Sequence, residues 1–130
     1  MKNDKSKGMI EAEISDALVR FEKEYMGRGP VETRTYIVED MIIVRLKGVL
    51  TRAEEQLATS DEGLVLIKQV RLKLMEKARS LLESIIGDIT GCTVKSMHTD
   101  ISTATGERVI IFMLDSDLGE KILSARTKKD

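Results

Sequence analysis

Two strand-like pairs, each folded on itself by a tight loop, flank a long stretch of helical period. This order constrains the fold more than any other feature of the chain. Residues 33–38 are β-branched and aromatic, and Glu39-Asp40 supplies a turn. From Met41 to Lys47, Ile42, Val44 and Leu46 alternate with Ile43, Arg45 and Lys47, the period of a strand. The second pair runs from Cys92 to Ile101 and from Glu107 to Leu114, with Ser102-Thr103-Ala104-Thr105-Gly106 as its loop. Alternation slips between Val94 and Met97, which predicts a bulge. From Val109 to Leu114 every position is apolar, as expected of a strand that is central or covered on both faces.

The segments around these hairpins have the helical period. From Met9 to Met26, Ile10, Ile14, Ala17, Leu18, Phe21 and Tyr25 make one apolar stripe, while Glu11, Glu13, Asp16, Arg20, Glu22, Lys23 and Glu24 fall on the other side. Gly27 sits where a left-handed residue ends a helix. Thr51 and Glu54 have capping-box spacing, which predicts a short helix over residues 52–58. Ser60 caps a longer helix reaching about Ile86, with Leu64, Ile67, Val70, Leu74, Ala78, Leu81, Leu82 and Ile85 as its expected core stripe. Gly87 and Gly91 bracket its exit. The expected fold is α+β, of order α-ββ-α(α)-ββ, a four-stranded antiparallel sheet with helices packed on one face. Residues 9–114 form a single domain in this reading. Residues 1–8 are expected to be loose, and the tail, 115–130, to hold one short helix near residues 118–125. Helices on one face leave the other open to water or to a partner, and the two-faced last strand argues for a homodimer.

Composition narrows the function classes. Twenty-one Lys and Arg against 22 Asp and Glu leave a net charge of −1, so no overall field attracts nucleic acid or anionic lipid. Aromatic residues are 3% of the chain and tryptophan is absent, which argues against base stacking. With one cysteine, Cys92, and one histidine, His98, the chain has neither an internal disulfide nor a conventional Cys/His zinc site. No metal and no cofactor is expected. No apolar run approaches the roughly 18 residues of a membrane span. The expected location is cytoplasmic, peripheral at a membrane through a protein partner.

Three sets of residues carry alternative readings. Gly27-Arg28-Gly29-Pro30 holds the one proline of the chain. The turn is either a helix stop or a concave nest of backbone N–H groups, with Arg28, Arg34 and Arg71 nearby, for a small anion. Arg71 projects inside the apolar stripe of the long helix, where it requires a carboxylate, a carbonyl or a ligand. His98 and Asp100, two apart on one strand, point the same way and form either a surface hydrogen bond or part of a site. Cys92 reads as a small buried hydrophobe; six residues of strand separate it from His98 by about 20 Å, too far for a nucleophile–base pair. No catalytic residue is assigned.

The combination "FEKEYMGRGP", "YIVEDMIIVRLKGVLTRAEEQL" and "TGCTVKSMHTDISTATGERVIIFML" resembles the MpsC family of small bacterial proteins, from about Glu11 to Leu114. The matching positions are Gly27, Arg28, Gly29, Pro30, Asp40, Leu50, Thr51, Glu54, Arg71, Gly91, His98 and Asp100. The resemblance implies association with a membrane cation-translocating system linked to inorganic-carbon uptake, and carries no catalytic residues. The leading expectation is therefore a non-enzymatic accessory or regulatory protein partnered with a membrane transporter subunit. The alternatives are an anion-sensing module at Gly27–Pro30 and, more weakly, an RNA-binding domain using Arg34, Arg45, Lys47 and Arg52.

Overall fold

The computed structural model describes residues 5–128, with side chains described to Ala125. The elements are α1 (Lys7–Tyr25), β1 (Glu32–Val38), β2 (Met41–Lys47), α2 (Arg52–Leu57), α3 (Asp61–Thr90), β3 (Val94–Ser102), β4 (Glu107–Leu114) and α4 (Leu118–Lys128). The two hairpins join as one antiparallel sheet of order β1-β2-β4-β3, so the apolar strand β4 is central. The bulge falls between Val94 and Ser96, where the alternation slipped. Of residues 1–8, expected to be loose, 1–4 lie outside the described residues, as do 129–130, while Lys7 and Gly8 belong to α1.

Local chemistry sets the boundaries. The Ser6 hydroxyl accepts from the Met9 N–H and starts α1 two residues earlier than its apolar stripe suggested. Thr51 and Glu54 form a reciprocal capping box on α2. Ser60 accepts from the Gly63 N–H and starts α3, which runs four residues beyond Ile86 and ends on Gly91 at φ 73°. A Cβ on Gly63 would lie 1.7 Å from the Leu57 carbonyl oxygen, so only glycine lets α3 start this close beneath α2.

Strand parity divides the sheet. Thr35, Ile37, Ile42, Val44, Leu46, Arg108, Ile110, Phe112 and Leu114 face the helices and are buried. They pack against Ile10, Ile14, Leu18 and Phe21 of α1 and Ile67, Met75, Leu82 and Ile86 of α3. The Glu11 carboxylate accepts from the Ile37 N–H at 2.8 Å, so α1 also satisfies part of the β1 edge.

The buried stripe of α3 differs from the expected one. Ile67 and Leu82 are buried as expected, but Val70, Leu74 and Leu81 are exposed, and Gly63, Arg71, Met75 and Ile86 take their place. The helix is rotated so that Arg71 points into the protein. At about 1.5 Å per residue α3 is also some 45 Å long, well beyond a strand of about 25–30 Å, so its first turns leave Val65 and Leu66 uncovered.

Candidate functional site

Among the described residues three charged side chains are buried in the core, Glu22, Arg71 and Arg108, and a fourth, Glu54, lies at its margin. Arg71, from the middle of α3, donates from Nε to one Glu54 oxygen at 2.7 Å and from Nη2 to the other, also at 2.7 Å. Nη2 donates as well to the Val49 carbonyl at 2.8 Å. Glu54 in turn accepts from the Thr51 N–H. One guanidinium thus ties α3 to α2 and to the segment after β2. Glu22 of α1, with no exposed surface, lies 3.6 Å from Arg71 Nη1 and 3.9 Å from Arg108 Nε. These are ion-pair separations outside hydrogen-bond reach. Arg108 projects from the inner face of β4 and donates to the Thr99 hydroxyl at 2.8 Å. Both Glu22 oxygens, Arg71 Nη1 and Arg108 Nε and Nη2 have no hydrogen-bond partner among the described residues.

Burial dominates the titration of this cluster. It raises the Glu22 pKa above its ordinary value of 4.5, against the pull of Arg108 and Arg71. It also acts on Glu54, but there the hydrogen bonds from Arg71 and Thr51 outweigh it, and the carboxyl lies below the ordinary value. Burial likewise lowers Arg108, opposed by Glu22.

The Gly27–Pro30 turn lies elsewhere. Gly27 adopts φ 92°, as a helix exit requires. Arg28 donates from Nη1 to the Leu50 carbonyl at 2.8 Å and so braces the loop after β2. It borders a cleft of about 240 Å³ that is also lined by Glu55, Thr103 and Thr105. Glu55 there offsets the arginine's charge.

The remaining sequence-predicted residues lie on the open sheet face. Register aligns Tyr36, Ile43, Ile111 and His98 in one row across the sheet, and Arg34, Arg45, Val109 and Asp100 in the next. Arg34 pairs with Glu32 at 2.6 Å, and Arg45 with Glu107 at 2.8 Å. His98 and Asp100 share this face, but His98 bonds to Ser96 and Asp100 accepts from the Ile101 N–H. Gly27, Arg28, Gly29, Arg34, Arg71, His98 and Asp100 therefore occupy three places: a loop cleft, the core and the outer sheet face.

Glu22 and Arg108 escaped the sequence reading. Among the charged residues of α1, Glu22 alone follows buried Leu18 by four residues, at the margin of the apolar stripe, and is buried with it. Arg108 was legible from parity, since it alternates with Ile110, Phe112 and Leu114.

These inward-facing residues and the hairpin–helix–hairpin frame lie within residues 6–116, which match a family model described as "Na+-translocating membrane potential-generating system (MpsC)". The chain belongs to the MpsC family. Two curated Bacillus subtilis (strain 168) proteins are similar to this MpsC chain. Uncharacterized protein YbcI is 53% identical over 122 residues, covering 92% of this chain and 98% of the relative. Uncharacterized protein YrhF is 26% identical over 110 residues, covering 84% and 90%. No solved structure shows a significant match. The MpsC match runs from the N-cap of α1 past the end of β4 and stops before α4. No helix among the described residues of this MpsC chain is long and apolar enough to cross a membrane.

Proposed function

We propose that this MpsC protein is a non-enzymatic accessory or regulatory subunit of a membrane Na+-translocating system that generates membrane potential, acting from the cytoplasmic side. The observation that carries this reading is the family description, which applies to nearly the whole chain, in a protein whose described helices cannot span a bilayer. An ion crossing the membrane needs a path enclosed by spanning elements. In this reading another chain supplies that path, and the MpsC protein binds it as a compact unit. In this reading the core cluster is a brace: Arg71 is committed to the Glu54 carboxylate and the Val49 carbonyl, and Glu22 lies at ion-pair distance from Arg71 and Arg108.

The test is a deletion strain assayed with a potential-sensitive dye at low and high external Na+, together with growth with and without added carbon dioxide. The expected result is a lower potential and a carbon-dioxide requirement, both restored by a plasmid-borne copy. A deletion strain with normal potential and normal carbon-dioxide independence contradicts the proposal.

A further inference from the structure

The open face of the sheet is ordered in a way that specifies its own partner. Its centre is apolar, with Ile43 on β2 facing Ile111 on β4 and Met41 facing Met113. The β1–β2 half carries Arg34, Arg45 and Lys47 with one carboxylate, Glu32, and the β4–β3 half carries Glu107, which pairs with Arg45 at 2.8 Å, and Asp100 in the row of Arg34 and Arg45. Asp100 is 84% exposed at its side chain, with Lys68 of α3 3.8 Å away. The face therefore has a cationic half and an anionic half, separated by an apolar seam.

We propose that this face is a homodimer interface, with two copies stacked sheet to sheet about a twofold axis running parallel to the strands between β2 and β4. Such an axis reverses each row onto itself, so that β1-β2-β4-β3 of one copy meets β3-β4-β2-β1 of the other. Ile43 then meets Ile111 of the second copy, Tyr36 meets His98 and Arg34 meets Asp100. The competing in-plane axis, perpendicular to the strands, fails on charge. It lays cationic half on cationic half and sets the Arg34–Asp100 row against the apolar Val38–Met41–Met113 row, where its charges lose water without gaining partners. Face-to-face sheets pack about 10 Å apart with strand directions within about 30°, which suits apolar contact at the seam and long Arg34 side chains reaching the rim. A face of four strands about 4.8 Å apart and seven residues long covers roughly 19 by 23 Å. That is about 440 Å² per copy, below the roughly 600–1,000 Å² per partner of stable interfaces and in the range of weak, transient ones, so the dimer forms and dissociates at micromolar concentrations or above.

Sedimentation equilibrium of the full chain from micromolar concentrations upward tests the proposal, with circular dichroism confirming that each variant is folded. The expected result is a monomer–dimer equilibrium. Arg34→Glu and Asp100→Arg each weaken it about tenfold, Ile111→Lys abolishes it, and the Arg34→Glu/Asp100→Arg double exchange restores it. A chain that is monomeric throughout overturns the proposal. So does a dimer that tolerates both charge reversals but is lost on Val70→Glu, because that result places the contact on the exposed flank of α3.

Discussion

Replacing Arg71 by methionine removes a side chain that ties α3 to α2 and to the segment after β2. The guanidinium makes bonds of 2.7, 2.7 and 2.8 Å, two to Glu54 and one to the Val49 carbonyl. Without it Glu54 keeps only its capping bonds to Thr51, the Val49 carbonyl loses that partner, and Glu22 is left with Arg108 alone. Each bond to a charged group contributes about 1.5–3 kcal/mol, but bonds within one network do not add. Breaking a buried pair costs about 3–5 kcal/mol, and burial of the methionine side chain offsets part of this. The expected net loss is about 3 kcal/mol, a large share of the roughly 5–15 kcal/mol typical of a domain. At the size of this chain the thermal midpoint falls by about 10 °C. The assay is urea unfolding followed by far-UV circular dichroism. A loss below about 1 kcal/mol with an unchanged slope refutes the argument that Arg71 is the central brace.

The same network makes further predictions. The triple variant Glu22→Leu/Arg71→Met/Arg108→Met should unfold at higher urea than Arg71→Met alone, because removing all three charges leaves fewer groups buried without partners; equilibrium unfolding of the two side by side checks this. The two core carboxylates should give opposite pH slopes. Glu54, lowered below 4.5, stabilises the fold above its unfolded value and loses that contribution as pH falls through its folded value, so the gap between wild type and Glu54→Gln narrows in acid. Glu22, raised above 4.5, binds a proton more tightly when folded, so wild type loses ground to Glu22→Gln as pH rises from 4.5 through the folded value. Unfolding curves taken at intervals from acid to neutral pH read both slopes. Gly63→Ala should destabilise by about 3 kcal/mol, because its Cβ meets the Leu57 carbonyl backbone, whereas Gly8→Ala should cost nothing measurable by the same assay. Arg28→Ala should cost about 1–2 kcal/mol in thermal denaturation through loss of its bond to Leu50, with no separate effect of added phosphate or bicarbonate.

Much of the frame was legible because it rests on local chemistry. The Thr51–Glu54 capping box, the Glu39-Asp40 turn and the bulge after Val94 are each written within a few neighbouring residues. The rotation of α3 was not legible. Its apolar positions cover a wide arc, and a window of helical period cannot tell which part of that arc turns inward. Arg71 settles the rotation, but only through Glu54 and Glu22, residues 17 and 49 positions away that pattern reasoning treats as surface. The length of α3 hid its end in the same way, since Ile89 and Thr90 continue the helix past the glycine expected to close it. For the candidate site, the residue types were visible while their grouping was not. Only the register of β1-β2-β4-β3 shows that Arg34 and Asp100 share a row and that Arg28 stands apart from both.

The most direct test of the central claim is affinity purification of the tagged protein from gently solubilised native membranes, with mass spectrometry of what accompanies it. The account predicts recovery, in near-stoichiometric amount, of a multi-span cation-translocating subunit that is absent from an untagged control. Recovery of the chain with no membrane-derived partner, under conditions that keep such assemblies intact, would contradict it.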